Sequence, residues 1–310
     1  MYESPSLHRR RSDLGHEDGP FGLVRRDSGG SLGGTSPDSQ QSWGEAMGPQ
    51  PKNAFTIRVL GGFLVHQGSQ ILYLRPSTRR LVALLAVEDL VSRGDIAARL
   101  YDSVPMAKAV GNLRTALWRL HADAPGIVQS HGDTLGLADS VTTVDVHDAR
   151  AWFQWSAHAG AEVKDPPARA DQELLPGWGD QWLIEHRERL RLQQVQAWEQ
   201  QALRLLLMGR LAEACECAQV AISLDPLRET ATRLFIDAAL RQGNAVEALV
   251  RYRSFEERLR REGCGRPGPA IAALVARILP PQRQSAPGPG PAAPGGGGPV
   301  TSRLAHHLQD

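Results

Sequence analysis

The sequence contains few of the residues on which several classes of protein depend. Only three of its 310 residues are cysteine and 5% are aromatic. An odd cysteine count, with Cys215 and Cys217 only two positions apart, argues against a disulfide framework and fits a reducing cytoplasm. The longest fully apolar run, Leu81 to Val87, is about a third of the roughly 20 residues that a membrane helix needs. We therefore expect a cytoplasmic protein without a membrane segment.

An excess of charge of one sign is also missing. The chain has 35 basic and 34 acidic residues, which gives a formal net charge of +1. This balance excludes a histone-like, polybasic protein, although a local basic face is sufficient for DNA binding. The sequence contains no nucleophile–histidine–acid set, metal-ligand spacing or phosphate loop. We therefore expect no enzyme, no cofactor and no metal site.

Composition divides the chain into four segments. Residues 1–54 are rich in Gly, Ser, Pro, Gln and Arg without an apolar period, and residues 281–310 are rich in Pro and Gly. Both are predicted to be disordered tails. Between them, residues 55–146 alternate short strands with helices, whereas residues 147–280 are almost entirely composed of predicted helices. The sequence therefore predicts two folded domains, and the fold class is mostly α.

Residues 55–146 show the element order of a winged helix-turn-helix domain. Three short apolar stretches separated by glycine-containing turns predict a small antiparallel sheet over residues 55–74. Three helices follow: the first begins at Pro76, the second at Ser92 with a capping-box-like start, and the third spans about Met106 to Ala122. Residues 127–137 then predict a hairpin, and residues 141–146 suggest a short extended piece.

The third predicted helix has an apolar face and an opposite polar face. At 100° per residue, one stripe is apolar and is expected to dock on the first two helices: Val110, Leu113, Leu117 and Leu120. The opposite face offers two cations, an amide and a hydroxyl without a carboxylate, and these groups suit phosphates and base edges. The candidate DNA contacts are therefore Lys108, Asn112, Thr115 and Arg119, with Arg114 at the edge of the apolar stripe.

Basic residues are concentrated in this region. Between Arg75 and Leu120 there are eight basic and four acidic residues. Arg79 and Arg80, in the first helix, are further candidates for phosphate contact. Trp118 is expected to pack under the domain, while His131, at the hairpin tip, is equally a phosphate contact or a plain exposed loop residue.

The second domain contains an internal repeat. Segments Gly209–Ala214 and Gly243–Ala248 share their Gly, Glu and final Ala at a spacing of 34 residues, which is the period of tetratricopeptide (TPR) repeats. Stacked helix pairs of this kind form a groove that usually binds proteins or other domains, and a purely structural bundle is the alternative. Five tryptophans are expected to pack the core, with an aromatic-lined ligand groove as the alternative: Trp152, Trp155, Trp178, Trp182 and Trp198.

The chain resembles the SARP-type (antibiotic regulatory protein) activators over about residues 55–280. The resemblance rests on Val59–Phe63, Arg79–Ala86, Gly111–Leu120, Asp225–Glu229, Gly243–Leu249 and Arg266–Pro269. The chain departs from the family at Tyr101, where Trp is frequent, and at Gly263–Arg266, which replaces a more acidic and apolar loop. The resemblance implies an OmpR-like winged helix, a TPR-like bacterial transcriptional activator domain and an actinobacterial source. It also implies promoter binding, often at direct repeats, and recruitment of RNA polymerase.

These observations predict a sequence-specific DNA-binding transcription regulator, most simply an activator. Its expected partners are double-stranded promoter DNA, RNA polymerase and a second copy of the chain. The alternative is a TPR-like interaction adaptor whose winged domain does not bind DNA. The charge of residues 55–146, nine basic against eight acidic, slightly favours the alternative. Salt-dependent DNA affinity separates the two, because phosphate contacts release counterions.

Overall fold

The computed structural model describes residues 54–158, 160 and 162–276, all within one compact unit of residues 49–310. Except for Ala54, both predicted tails lie outside the described residues. The described strands are β1 (Phe55–Arg58), β2 (Leu64–Gln67), β3 (Gln70–Leu72), β4 (Leu90–Ser92), β5 (Val128–His131), β6 (Thr134–Leu137) and β7 (Val141–Val144). The described helices are α1 (Pro76–Val87), α2 (Arg93–Leu100), α3 (Met106–Asp123), α4 (Asp145–His158), α5 (Trp182–Leu207), α6 (Leu211–Leu224), α7 (Glu229–Arg241), α8 (Ala245–Arg261) and α9 (Pro269–Ala276).

The first sheet has the strand order β3-β2-β1-β7. The antiparallel meander of β1, β2 and β3 confirms the sheet predicted at the start of the domain. The extended piece predicted over residues 141–146 ends earlier, because Asp145 already begins α4. This piece is β7, and it pairs parallel with β1, so the first sheet is mixed.

The second sheet carries the predicted hairpin and a strand that the sequence did not indicate. Its order is β4-β6-β5, and β4 supplies only three residues. The short strand was missed because its apolar run is too brief to show a period. At the end of β4, the Ser92 hydroxyl accepts a hydrogen bond from the Asp95 amide at 3.0 Å, which confirms Ser92 as the cap of α2. The Asp95 carboxylate accepts a hydrogen bond from the Ser92 hydroxyl. The capping box predicted from the sequence would use the Ser92 backbone amide as the donor instead.

Helix α1 lies at the centre of the winged helix domain. Its apolar run from Leu81 to Val87 is at most 3% exposed throughout. The run is buried on all sides because α1 contacts α2, α3, α4 and β6. The sheet, the three helices and the hairpin therefore enclose one core, as the sequence predicts.

The helical part contains two TPR-like pairs, α5 with α6 and α7 with α8. Gly209 and Gly243 lie between the members of each pair with φ of +76° and +85°, a backbone conformation that glycine adopts readily. Ala214 and Ala248 are 1% and 0% exposed, and their small side chains allow the close helix packing predicted from the repeat.

Residues 162–181, called here the connecting segment, are irregular. The prediction of nearly continuous helix from Asp148 to Leu279 is wrong for this segment. Three prolines and two glycines occur between Pro166 and Gly179, and both residue types disfavour helix interiors. The buried side chain of Gln194 on α5 holds the segment by donating to the carbonyls of Ala170 and Gln172 at 2.9 and 2.8 Å.

The connecting segment joins the helical part to the winged helix domain. The Gly61 amide donates to Glu173 and the Leu175 amide donates to Val59, each at 2.8 Å. A second link is the His186 Nε2 on α5, which lies 2.7 Å from Glu88 Oε1. Backbone and side-chain hydrogen bonds therefore connect the helical part to the winged helix domain.

Candidate nucleic-acid interface

Helix α3 is anchored by one face. Leu113 and Leu120 are each 2% exposed, and Val110 and Leu117 are half-buried against the core. Ala109 and Ala116 widen this buried face and allow α3 to approach its neighbours closely. The apolar stripe predicted from the sequence therefore docks on the domain and leaves the opposite face outward.

The outward face of α3 carries the predicted contact residues. Lys108, Thr115 and Arg119 are exposed, and Asn112 is half-buried. The Thr115 hydroxyl donates to the Gly111 carbonyl at 3.1 Å and keeps its acceptor capacity. Within the described part of the chain, neither Lys108 nor Arg119 forms an ion pair. This face is therefore cationic and open to an acidic partner.

A groove of about 360 Å³ separates α3 from the hairpin of β5 and β6. Its polar lining consists of Arg93, Arg114, His121 and Ser130, with no carboxylate among the lining residues. Arg93 is held towards the hairpin because its Nη2 donates to the Ser130 hydroxyl at 2.9 Å. Only Arg114 was singled out from the sequence. The other three lie on different elements, and no local spacing reveals that they meet.

Trp118 does not pack under the domain, and this expectation is wrong. Its side chain is 73% exposed. The buried Ala116 and the half-buried Leu117 face the core, and Trp118 lies outside this stripe on the helix. Trp118 therefore adds a large aromatic surface to the exposed side of α3.

The two arginines of α1 face the connecting segment rather than α3. The Arg79 guanidinium lies 5.0 Å from the centre of the Trp178 ring. The Arg80 Nε donates to Asp180 Oδ1 at 2.7 Å, and only 10% of the Asp180 side chain is exposed. Arg80 therefore has a carboxylate partner within the chain, and its contact with phosphate stays a prediction.

The hairpin tip presents His131 to solvent. Gly132 follows with φ of +64°, and Thr134 fastens the turn by donating to the His131 carbonyl at 2.9 Å. The turn is therefore built by its own residues, and the His131 ring extends from the tip of the wing.

The described ranges also bear on metal binding and on the reactivity of the buried cysteines. No group of three or more His, Cys, Asp or Glu is placed there to hold a metal ion. Burial raises the pKa of the Cys217 thiol to about 12 and also raises that of Cys215, so neither is an activated nucleophile. Among the same residues, no helix has both the length and the apolar character to cross a membrane.

The architecture is that of a winged helix domain followed by TPR-like helix pairs. Residues 138–279 match the family described as the bacterial transcriptional activator domain. The bacterial transcriptional activator domain that the resemblance implies is thereby confirmed. A comparison with curated proteins finds no match.

A similar solved structure is that of Mycobacterium tuberculosis EmbR in complex with a low-affinity phosphopeptide. The two chains share 20% identity with a TM-score of 0.51, over 73% of this chain and 65% of EmbR. This chain therefore spans less than two thirds of EmbR, and the likeness concerns the fold alone. The family match over residues 138–279 supports a transcriptional regulator.

Proposed function

We propose that this protein is a sequence-specific DNA-binding activator that binds promoter repeats and recruits RNA polymerase. The observation that carries the proposal is the outward face of α3, where Lys108, Asn112, Thr115 and Arg119 stand on a firmly docked helix. An α-helix fits the major groove of B-DNA, where arginine pairs with guanine and asparagine with adenine. These residue types therefore suit the reading of a base sequence.

The groove beside α3 supplies the complementary backbone contact. Arg93 and Arg114 line it from α2 and α3, and guanidinium groups are suited to a DNA phosphate. Phosphate contacts fix the register of a protein on the duplex, whereas base contacts carry specificity. We assign Arg93 and Arg114 to the first role and Asn112 and Arg119 to the second.

The helical part is assigned to protein contacts. Stacked TPR-like pairs present extended surfaces that bind other proteins. Val246 and Val250 on α8 are 76% and 63% exposed and offer an apolar surface of this kind. RNA polymerase and a second copy of the chain at the neighbouring promoter repeat are the partners that this function requires.

The test is selection of bound duplexes from a random DNA library by the full chain, followed by affinity measurements at several salt concentrations. A Lys108→Ala/Arg119→Ala variant is expected to lose enrichment of any common motif. The matched control, Arg253→Ala/Arg258→Ala, removes the same charge from exposed positions on α8 and should retain the motif. Equal enrichment in all three proteins would contradict the proposal.

The adaptor alternative has one observation in its favour, because the exposed Trp118 resembles the aromatic anchors of protein interfaces. If the chain is an adaptor, the wild type should show no salt-dependent DNA affinity. Absence of DNA binding at low salt by the folded chain would therefore favour this alternative.

A further inference from the structure

Trp118 lies on the side of α3 that faces away from the domain. Its side chain is 73% exposed, although tryptophan is highly buried on average in folded proteins. The buried side of α3 is formed by four residues: Ala109, Leu113, Ala116 and Leu120. At 100° per residue, Trp118 lies roughly 140° to 180° from each of them around the helix axis. The docking of α3 therefore turns the indole towards solvent.

Candidate contact residues lie on both sides of Trp118. Arg114 and His121, four and three positions away along α3, line the groove between this helix and the hairpin. Thr115 and Arg119, three positions and one position away, belong to the outward face of α3. Residues three and four apart are neighbours on a helix surface. Trp118 thus lies between the groove assigned to a phosphate and the face assigned to base reading.

The indole projects beyond the residues on its own side of α3. Ala107, Gly111 and Ala122 lie within roughly 40° of Trp118 around the helix axis, and all three are small. A Cβ atom added at Gly111 would meet no other atom within 4 Å, so the space there is open. The aromatic ring can therefore approach a partner without another long side chain of α3 in front of it.

The charges next to Trp118 favour a nucleic acid over a protein as the partner. The core of a protein–protein interface is depleted of charged residues, and its aromatic anchors lie in that core. The charged neighbours of Trp118 on the helix surface are instead the cations Arg114 and Arg119. Asp123 supplies the only carboxylate of α3, and it forms an ion pair with Arg75 at 3.5 Å. An aromatic group beside these cations fits DNA better than an apolar protein surface.

Duplex DNA limits what an indole can contact in the major groove. The bases of an intact duplex are stacked on one another, and aromatic side chains stack on bases that are single-stranded or turned out of the helix. The major groove does present one apolar group, which is the C5 methyl of thymine. Cytosine carries hydrogen at the same carbon, so contact with this methyl distinguishes the two pyrimidines.

We propose that Trp118 contacts the C5 methyl of a thymine in the major groove and so selects a T·A pair at one position of each promoter repeat. This inference rests on the proposed function, because that function places α3 in the groove. Trp118 is then a specificity-determining residue that reads an apolar group, beside Asn112 and Arg119, which read polar base edges.

Binding to duplexes with altered methyl groups tests this assignment. The probes are the DNA site selected by the full chain and versions in which each thymine in turn is replaced by deoxyuridine, which lacks only the methyl. At one thymine of each repeat, this replacement should weaken wild-type binding about fourfold, as for the loss of one buried methyl-sized group. In Trp118→Ala, the two duplexes should bind equally to within about twofold. For the wild type, 5-methylcytosine at this position should bind about fourfold more tightly than cytosine, because it restores the methyl.

Two further variants separate this role from general effects. Trp118→Phe keeps a smaller aromatic group and should show a methyl dependence between those of the wild type and Trp118→Ala. Tyr73→Ala removes an aromatic side chain that is 85% exposed after β3, and it should keep the full methyl dependence. Because Trp118 is exposed, the urea midpoint of Trp118→Ala should stay near that of the wild type.

The possible failures of the two proposals are distinguishable. If the wild type selects a motif but no thymine shows a methyl dependence that Trp118→Ala removes, the assignment of Trp118 is overturned and the proposed function stands. If the folded wild type selects no DNA, both proposals are overturned. Trp118 would then serve as an anchor for the protein partner of the adaptor alternative.

Discussion

Arg80 of α1 and Asp180 of the connecting segment form an ion pair between the winged helix domain and the helical part. The Asp180 side chain is 10% exposed and that of Arg80 is 36% exposed, so the pair is largely shielded from solvent. Removing the cation leaves a nearly buried carboxylate without its partner. The pair therefore contributes to holding the two parts together, and its two halves should be energetically coupled.

We expect Arg80→Ala to lower the free energy of unfolding by about 1 to 3 kcal/mol, because the Asp180 charge stays buried. Urea denaturation measures the loss. Arg189→Ala breaks an exposed ion pair with Glu185 and should cost about 0.5 kcal/mol or less. The salt dependence of DNA binding should not change in Arg80→Ala. A shallower salt slope in this variant would instead support the phosphate contact expected from the sequence.

A second prediction concerns Asp145, which begins α4. Its carboxylate accepts hydrogen bonds from the amides of Val59 at 2.9 Å and Leu60 at 3.0 Å. Burial nevertheless raises its pKa from 3.8 to about 6, against the lowering effect of these amides and of Arg58. Because the folded state binds the proton more tightly than the unfolded state, the protein gains stability from this group at low pH. That contribution declines as pH rises from about 4 to about 6.

Between pH 4 and pH 6, the Asp145 carboxyl should lower the unfolding free energy of the wild type by roughly 2 to 3 kcal/mol. Asp145→Asn should abolish this fall. Urea denaturation at several pH values gives the slope of the unfolding free energy against pH for the variant and the wild type. The difference between these two slopes does not depend on the absolute stability of the variant. Asp139→Asn, an exposed position in the turn before β7, is the control and should keep the wild-type slope. An unchanged slope in Asp145→Asn would contradict the assignment.

Most elements of the fold could be predicted because the signals that define them act over a few residues and can be recognised in the sequence. The leucine stripe of α3 and the Ser92 cap depend on spacing within one element, and the 34-residue repeat depends on the recurrence of one short segment. Each is found in the structure. The connecting segment was predicted as helix because its flanks are helical. Its actual conformation depends on pairing with distant residues, as in the isolated bridge between Leu60 and Leu174.

The candidate interface was harder to predict for the same reason. The spacing on α3 identified Lys108, Asn112, Thr115 and Arg119, because they share one face of a single helix. Arg93 forms a hydrogen bond with Ser130, which lies 37 positions further along the chain, and no periodic pattern in the sequence indicates such a contact. Trp118 shows a different error, since an aromatic residue at the edge of an apolar stripe is expected to be buried, whereas its side chain is 73% exposed.

The third prediction separates backbone contact from base reading. Arg114→Ala should weaken binding to all duplexes and reduce the salt slope by about 0.9 if one phosphate contact is lost. Asn112→Ala should leave that slope unchanged but lower the preference for the best base at one position by about 1 to 3 kcal/mol. Fluorescence anisotropy with a set of single-base variants of the selected site measures both effects. The same behaviour in the two variants would reject the separate roles.

The fourth prediction concerns Gly136, where β6 passes β4. A Cβ atom at this position would lie 2.8 Å from Leu90 Cδ2 and 2.9 Å from the Asp89 carbonyl oxygen, closer than real contacts allow. Because a backbone oxygen cannot be moved aside like the end of a side chain, Gly136→Ala should destabilise the domain by about 1 to 3 kcal/mol. The control is Gly94→Ala in α2, where the nearest atom is Ser92 Oγ at 3.8 Å. Since alanine favours helix, this variant should gain about 0.5 to 1 kcal/mol. Thermal unfolding of the two variants measures both effects, and stabilisation by Gly136→Ala would show that β4 does not pack against β6 as described.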